Sequence, residues 1–319
     1  MNMKIPFPFR IILNMTNRCN SDCLYCSNKE FSSDDLSYDE WVNFINVLSD
    51  KKIASVILSG GEPLLYPNIY EIINLLHQHK IRVNIISNGI LVNQMPEDIM
   101  HKITSFQISF DGKEYNSIYR RISPNIPLEA MKTLFEANIK TYSMTVVTKA
   151  NIDDMEKIYL EVCDRTDLCC FERVSIVGNA RQHKDMQLTP DDEKKFVNTI
   201  HYLQTKYGET ILCNDPIQNC SKLARDCLAG CAIGLSTLCI SNNGDILPCT
   251  RLPIVLGNIK QNDISDVWDN SKLLNDIRCR NLQGKCQSCE FKFNCGGCRA
   301  AAWAKTGNCL DEDPECYIT

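Results

Sequence analysis

The chain has 319 residues, of which 44% are hydrophobic and 23% charged, a composition typical of a globular protein that buries a core. Its formal net charge is -5 and it has no long Lys/Arg run, so a nucleic-acid partner is disfavoured. No apolar run is long enough for a secretory signal or a membrane span. We therefore expect a cytoplasmic protein with no membrane partner.

Cysteine is the most unusual part of the composition, with 19 residues. Disulfide frameworks are rare in the reducing cytoplasm, and packing alone does not require so many thiols. The cysteine count therefore predicts metal binding.

Short β-rich runs alternate with helical patterns through most of the chain, the order expected of an α/β parallel sheet with helical crossovers. The predicted strands are 10–15, 54–59, 82–87, 105–110, 141–148 and 171–177. The predicted helices are 38–49, 68–79, 97–103, 128–138, 152–164 and 191–207. From about residue 211 the periodicity fades while glycines and cysteines accumulate. The sequence thus predicts two domains, 1–210 and 211–319.

Three cysteines, Cys19, Cys23 and Cys26, follow the first predicted strand with the spacing C-x3-C-x2-C. Three thiolates can bind three irons of a four-iron cluster and leave the fourth iron open for a cofactor or substrate. Packing on a helix face is one structural alternative, but the polar neighbours Asn17 and Asn20 are typical of a loop. Structural zinc is the other, and it lacks a fourth ligand nearby.

The segment CNSDCLYC resembles the signature of the radical S-adenosylmethionine (SAM) superfamily, including the aromatic residue Tyr25 before the last cysteine. The resemblance implies a partial (β/α)6 TIM-like barrel with a SAM-binding 4Fe-4S cluster on Cys19, Cys23 and Cys26. It also implies reductive cleavage of SAM to a 5'-deoxyadenosyl radical, which abstracts a hydrogen atom from the substrate. These three cysteines are therefore the predicted catalytic residues.

Further segments match the family's SAM-binding pattern in the expected order. Gly60, Gly61, Glu62 and Pro63 follow the second strand and resemble the turn that holds the methionine amino group, although alone they would indicate only a turn. By the same resemblance, SAM is contacted by Ser87 and Asn88 near the ribose, by Ser109 and Asp111 near its polar groups, by Arg121 at the carboxylate and by Val147 at the adenine. An ordinary turn remains the alternative for Ser87-Asn88, and core packing for Val147. A second arginine, Arg120, lies beside Arg121.

The C-terminal cysteines occur as C-x12-G-x4-C followed by C-x2-C-x5-C-x2-C-x17-C, which resembles the SPASM domain. The resemblance implies two auxiliary 4Fe-4S clusters, and therefore three clusters in the chain. The first would be bound by Cys231, Cys249 and Cys298, and the second by Cys286, Cys289, Cys295 and Cys316. For the fourth ligand of the first cluster, Cys227, Cys239 and an open iron remain alternatives. Zinc knuckles are the structural alternative for the whole pattern.

The resemblance covers nearly the whole chain and extends to a subgroup that includes the pyrroloquinoline quinone peptide-crosslinking enzyme, the mycofactocin maturase and alternative haem decarboxylases. It implies maturation of a ribosomally made peptide by crosslinking, oxidation or epimerisation. A small-molecule reaction such as tetrapyrrole side-chain decarboxylation is the first alternative, and a non-catalytic iron-sulfur electron carrier is the second. Only 18 residues precede Cys19, so we expect a separate small recognition protein to present the peptide. A flavodoxin or ferredoxin is the expected electron donor.

Overall fold

The computed structural model describes residues 5–30, 34–220 and 230–318, with only the backbone of residues 29 and 30. One candidate ligand from the sequence, Cys227, lies outside these residues.

The described residues form ten strands and eleven α-helices. The strands are β1 (Arg10–Thr16), β2 (Ser55–Gly60), β3 (Arg82–Ser87), β4 (Ser105–Ser109), β5 (Lys140–Val147), β6 (Leu168–Arg173), β7 (Ile211–Cys213), β8 (Thr237–Ile240), β9 (Asp245–Leu247) and β10 (Gly257–Asn258). The helices are α1 (Tyr38–Asp50), α2 (Ile69–Gln78), α3 (Glu97–Met100), α4 (Lys113–Tyr119), α5 (Asn125–Glu136), α6 (Met155–Leu160), α7 (Pro190–Tyr207), α8 (Ile264–Asn270), α9 (Lys272–Arg278), α10 (Lys285–Ser288) and α11 (Arg299–Thr306). None of these helices is both long and apolar enough to cross a bilayer.

All ten strands belong to one sheet with the order β10-β9-β8-β1-β2-β3-β4-β5-β6-β7. The six strands β1 to β6 are parallel and follow one another in chain order, as predicted for a partial (β/α)6 barrel. After α7, β7 adds to β6 in parallel, and β8 pairs in parallel with β1 at the other side. Strands from the predicted C-terminal domain therefore extend both sides of the barrel sheet.

The two faces of the barrel strands differ in character, and this difference positions the site. In β1, the fully buried Ile11, Leu13 and Met15 belong to the main hydrophobic core. On other strands, polar side chains such as Ser59 and Ser109 line a cavity at the carboxyl ends. Parallel barrels place their chemistry at this end because the loops after the strands converge there.

The helices predicted over 97–103 and 128–138 are observed as Glu97–Met100 and Asn125–Glu136, and two other elements differ more from their predictions. The strand predicted over 171–177 ends at Arg173, because Val174 and Ser175 leave the sheet and line the cavity. The helix predicted over 152–164 is a single 3-10 turn, Ile152–Asp154, followed by the short α6. The long helix near residue 190 begins as expected, since Thr189 and Asp192 form a reciprocal capping box.

Candidate active site and auxiliary cysteine sites

The loop after β1 carries the first cysteine cluster at the carboxyl end of the sheet. Cys19 is exposed, and Cys23 and Cys26 are half-buried. All three line the cavity named above. One face of the loop is fixed by Asp35, which accepts hydrogen bonds from the Thr16 hydroxyl at 2.5 Å and from a backbone amide at 3.0 Å. The three thiols are thus brought together on one ordered loop.

The glycine turn after β2 packs directly against this cysteine loop. The amide of Gly61 donates to the carbonyl of Thr16 at 2.8 Å, and the amide of Glu62 donates to the carbonyl of Arg18 at 2.9 Å. A Cβ atom on Gly60 would lie 2.4 Å from the carbonyl oxygen of Thr16, and one on Gly61 would lie 2.2 Å from that of Arg18. Both positions therefore require glycine, because any side chain would push the cysteine loop away.

Glu62 is fully buried and organises the neighbouring loop after β3. Its carboxylate accepts hydrogen bonds from the Ser87 hydroxyl at 3.0 Å and from the Asn88 amide at 2.9 Å. Burial raises the pKa of Glu62 to about 7, although hydrogen bonds from Asn88, Leu64 and Ser87 act in the opposite direction. Glu62 therefore supports the turn from behind, and it does not line the cavity.

The polar loop after β3 reaches the cysteine loop directly. The side-chain amide of Asn88 donates to the Asn20 side chain at 2.8 Å and lies 3.9 Å from the Cys19 sulfur. Ser87 and Asn88 both line the cavity. The structure therefore places these two predicted SAM contacts beside the first cysteine.

A second buried network holds the other end of the cysteine loop. The Tyr25 hydroxyl donates to the Asp111 carboxylate, and the Arg120 guanidinium pairs with the same carboxylate at 2.9 Å. The Arg120 carbonyl accepts a hydrogen bond from the Ser21 hydroxyl at 2.5 Å. Asp111 lies behind the cavity wall, whereas Tyr25 and Arg120 line it. This network fixes the segment between Ser21 and Tyr25 against α4.

A third contact holds the last cysteine and was not predicted from the sequence. The amide of Asn179 donates to the Cys26 carbonyl at 3.0 Å, and its side chain donates to the Cys23 carbonyl at 3.1 Å. Gly178 has φ +56°, and a Cβ there would lie 2.2 Å from the Cys26 carbonyl. These residues are about 150 positions from the cysteines, so no local pattern marks them.

Besides Glu62 and Asp111, three of the predicted SAM contacts do not line the cavity: Arg121, Val147 and Pro63. Arg121 is exposed and does not line the cavity, whereas Arg120 is buried and does. Arg121 adopts a left-handed φ of +58° just beyond Arg120, the C-terminal cap of α4, as is common where a helix ends. On β5, Val147 is fully buried in the main core while Val146 lines the cavity, because successive strand residues face opposite sides. Pro63 is buried behind the glycine turn.

The sulfur of Cys19 is partly buried, although the residue as a whole is exposed. Burial, with smaller contributions from the charges of Glu62, Cys23 and Cys26, raises its pKa to about 11. Iron binds thiolates, so iron binding at this site must displace the thiol proton. The positive charge of the iron then stabilises the thiolate. Three thiols facing one cavity, with no fourth cysteine among its lining residues, fit a cluster with one open iron.

The cysteines predicted for the second auxiliary cluster line one small cavity in the C-terminal part. It is bounded by Cys286, Cys289, Cys295 and Cys316, together with the previously unassigned Cys220. The amide of Gly297 donates to the Cys295 sulfur at 3.2 Å, and the Arg299 guanidinium lies 3.7 Å from the Cys286 sulfur. Sulfur ligands and donors to sulfur are the environment that iron-sulfur clusters use.

The cysteines predicted for the first auxiliary cluster lie on neighbouring segments. Burial raises the pKa of the Cys231 thiol, and the nearby Cys249 raises it further. The pKa of Arg251 is raised mainly by the charge of Glu172, and the nearby Cys298 and Cys249 raise it further. Cys239 is fully buried on β8, and Cys249 adds to the effect of burial in raising its pKa. Among the described residues, no three His, Cys, Asp or Glu side chains converge closely enough to hold a single metal ion.

A buried ion cluster connects the lining of the large cavity to the C-terminal segment that carries Cys298. Arg173 lines the cavity and pairs with Asp215 at 2.7 Å, with Glu315 at 2.9 Å, with Glu193 at 3.6 Å and also with Asp313. Asp313 also accepts a hydrogen bond from the Cys298 amide at 2.7 Å. The C-terminal tail is thereby tied to the end of β6.

Comparison with known families agrees with this geometry. The model of the radical SAM superfamily matches residues 13–162, which include the three cysteines of the loop. The model of an iron-sulfur cluster-binding domain, SPASM, matches residues 231–290. The chain contains a radical SAM domain and a SPASM domain. Both families imply iron-sulfur clusters, and the first also implies SAM binding.

Curated relatives of this radical SAM enzyme match it over almost its whole length. The AdoMet-dependent heme synthase of Methanosarcina barkeri is 27% identical and covers 97% of this chain and 96% of its own. The PqqA peptide cyclase of Bradyrhizobium diazoefficiens is 24% identical, covering 98% and 87%. The mycofactocin maturase of Mycobacterium tuberculosis is 27% identical, covering 97% and 83%. All three enzyme types were expected from the sequence.

A solved structure shows the same fold. SuiB of Streptococcus suis, bound to S-adenosylmethionine, superposes with a TM-score of 0.81 at 20% identity, covering 98% of this chain and 78% of SuiB. A superposition of this quality over 98% of the chain supports the same overall architecture, including the C-terminal part. The predicted α/β class and partial barrel are therefore confirmed.

Proposed function

We propose that this radical SAM enzyme cleaves SAM reductively and uses the 5'-deoxyadenosyl radical to abstract a hydrogen atom from a ribosomally made peptide. A crosslink, an oxidation or an epimerisation would follow. The observation that carries the proposal is the large cavity, which joins the three cysteines of the loop to residues of both domains, including Arg251 beside Glu172. A radical must form next to its substrate and away from water, and this cavity provides one shared space.

Different residues in and behind the cavity would hold the cluster, contact SAM and support the cavity wall. Cys19, Cys23 and Cys26 would hold the 4Fe-4S cluster, which when bound supplies the electron for cleavage. The residues proposed to contact SAM are Tyr25, Gly60, Gly61, Ser87, Asn88, Ser109 and Arg120, all of which line the cavity. Glu62, Pro63, Asp111 and Val147 would act from behind the wall by fixing these groups. In this proposal Arg120 takes the role at the SAM carboxylate that the family resemblance implies for Arg121.

The peptide substrate is supported by the relatives. Two of the three relatives described above are a PqqA peptide cyclase and a mycofactocin maturase. A second structure of SuiB, with a TM-score of 0.76, is bound to its precursor peptide. The haem synthase relative favours a second candidate, decarboxylation of a tetrapyrrole side chain. Arg251 suits either substrate, because its only ion pair among the described residues is a 3.6 Å contact with Glu172.

The proposal includes three clusters and two partners. The second auxiliary cluster would use Cys286, Cys289, Cys295 and Cys316, and the first would use Cys231, Cys249 and Cys298. For the fourth ligand of the first auxiliary cluster, Cys227, Cys239 and an iron without a protein ligand remain alternatives. A separate small recognition protein would present the peptide, and a flavodoxin or ferredoxin would deliver electrons in the cytoplasm.

The first experiment tests the radical chemistry. The chain is reconstituted anaerobically with iron and sulfide, reduced, and given SAM, and 5'-deoxyadenosine is measured. We expect cleavage by the parent and none by the Cys19→Ala/Cys23→Ala/Cys26→Ala variant, which should keep its C-terminal iron. Cys163→Ala, which removes an exposed cysteine outside the site, is the matched control. Cleavage by the triple variant would contradict the assignment.

The second experiment separates the two substrates. Short peptides encoded beside the gene and tetrapyrroles carrying propionate side chains are each offered to the active enzyme. Mass analysis then distinguishes loss of two hydrogens, loss of carbon dioxide and no change of mass. Turnover of a tetrapyrrole alone would replace the peptide proposal with the second candidate.

A further inference from the structure

The small cavity of the second auxiliary site contains one more cysteine than its cluster needs. The SPASM pattern supplies Cys286, Cys289, Cys295 and Cys316, which can saturate a four-iron cluster. Cys220 lines the same cavity, although it precedes the matched SPASM segment and forms no part of the cysteine pattern. Its side chain is buried, with 6% of its surface exposed.

A fixed turn delivers Cys220 to this cavity. The segment Pro216–Cys220 is a 3-10 turn that follows β7. The carboxylate of Asp215 accepts a hydrogen bond from the Ile217 amide at 3.1 Å and is itself paired with the buried Arg173 at 2.7 Å. The side chain of Asn219 donates back to the Pro216 carbonyl at 3.2 Å. The turn is thus anchored to the ion cluster on β6, independently of the C-terminal cysteines.

Packing around the five thiols includes Cys220 in the group. Cys220 and Cys295 are buried and belong to the same hydrophobic core, and Cys316 packs against that core. Cys286 is also buried. Cys289 lines the cavity from its partly exposed side. Cys220 therefore lies among the enclosed thiols of the site, and Cys289 is the outlying member.

We propose that Cys220 is a fifth iron-binding thiol of the second auxiliary site and takes the coordination position of Cys289 whenever that thiolate is absent or released. The inference rests on the auxiliary clusters of the proposed function. In the exchange, Cys220 loses its proton when its sulfur binds iron, and the released Cys289 takes one up. No electron is transferred, and the cluster keeps four protein thiolates, one on each iron.

The test uses the full chain with Cys19, Cys23 and Cys26 replaced by alanine, so that iron and spectra report only the auxiliary sites. Three variants are compared in this background: Cys289→Ala, Cys220→Ala/Cys289→Ala and Cys213→Ala/Cys289→Ala. Cys213 is the matched control, because it is also buried, lies seven residues from Cys220 and does not line the cavity. Iron per chain and electron paramagnetic resonance spectra are recorded before and after mild oxidation.

We expect Cys289→Ala and the Cys213 control to match the background protein, because four thiols still hold the cluster. Cys220→Ala/Cys289→Ala leaves three thiols, so mild oxidation should release about one iron per chain and produce a new three-iron signal. The same loss with Cys220→Val, which refills the side-chain volume, separates lost ligation from lost packing. Circular dichroism confirms that the variants are folded.

An outcome in which adding Cys220→Ala to Cys289→Ala changes neither iron nor spectrum would overturn the inference. A background protein that binds no iron would overturn the auxiliary clusters as well. Both readouts are independent of SAM cleavage, so failure of the radical chemistry is recognised separately.

Discussion

Arg120 and Arg121 are adjacent residues with opposite surroundings. Arg120 is buried and pairs with the fully buried Asp111, while Arg121 is exposed and follows the end of α4 in a left-handed conformation. Asp111 also accepts hydrogen bonds from Tyr25 and from the Val146 amide at 3.0 Å. The charge of Arg120 therefore stabilises a carboxylate that holds the cysteine loop and the adjoining strand together.

We expect Arg120→Gln to lower the unfolding free energy by about 3 kcal/mol, because it leaves the buried Asp111 carboxylate without its cation. SAM cleavage should fall as well, since the cysteine loop loses its anchor. Arg121→Gln is the control and should change both quantities little. Unfolding in urea and the rate of 5'-deoxyadenosine formation measure the two effects. Equal losses in the two variants would argue against separate roles.

Glu62 gives the site a predictable dependence on pH. Burial raises its pKa to about 7 in the folded chain, above the ordinary value of 4.5 for an exposed glutamate carboxyl. Between pH 4.5 and pH about 7, the Glu62 carboxyl is protonated in a larger fraction of folded chains than of unfolded chains. The unfolding free energy contributed by Glu62 therefore falls as pH rises through this window, by about 3 kcal/mol in all.

We expect Glu62→Gln to remove this contribution. The difference in unfolding free energy between variant and parent should shift in favour of the variant by about 3 kcal/mol between pH about 4.5 and pH about 8. Other carboxyl groups titrate in both proteins and cancel from the difference. Urea unfolding across this range measures it, and parallel curves for the two proteins would show that the pKa of Glu62 is not raised.

At the scale of elements, the turn after β2 and the loop after β1 act as one unit. Gly61 has no room for a Cβ against the Arg18 carbonyl, and the Gly61 and Glu62 amides donate to that loop. We expect Gly61→Ala to displace the loop and to lower the iron of the first site by up to about four per chain, with C-terminal iron retained. Iron analysis measures the loss.

Gly307→Ala is the control for this prediction, because no atom lies within 4 Å of its Cβ position and its left-handed backbone, with φ +76° and ψ 0°, costs an alanine about 1 to 2 kcal/mol. It should retain full iron. Loss of iron in both variants would indicate general destabilisation and contradict a specific contact at the cysteine loop.

The elements that the sequence predicts well are those with a local cause. The third strand is observed as Arg82–Ser87, as predicted, because its buried residues alternate. The helix α7 begins after Thr189, whose side chain caps it. By contrast α4 was not predicted, because only Asn116 of its seven residues is buried and no apolar period marks it.

The site shows the same division between local and distant causes. The cysteine spacing and the glycine turn are local patterns, and their residues meet in one cavity. Asn179, Gly178 and Cys220 reach their cysteine partners from other parts of the chain. Their contacts depend on the order of strands in the sheet, which residue spacing does not encode.

At the scale of the molecule, Arg173 connects the barrel to the C-terminal tail. Its guanidinium is 1% exposed and contacts Asp313 and Glu315 of the tail, Asp215 after β7 and Glu193 of α7. Four carboxyl groups surround one cation, and burial raises the pKa of Glu315 to about 7. Burial thus favours protonation of Glu315, and Arg173 is the cation that all four carboxyl groups share.

Replacing Arg173 by Met should lower the unfolding free energy by about 3 to 5 kcal/mol, because the buried carboxyl groups would lose their shared cation. Lys157→Met is the control: its partner Glu114 is 62% exposed, and such surface pairs contribute at most about 1 kcal/mol. Proteolysis of the tail should accelerate in Arg173→Met alone, since Asp313 and Glu315 would lose their contact with β6. Urea unfolding measures the change in stability, and mass analysis of the proteolytic fragments measures the cleavage of the tail. Equal stability of the two variants would show that the tail is held by its cysteines, without help from the ion cluster.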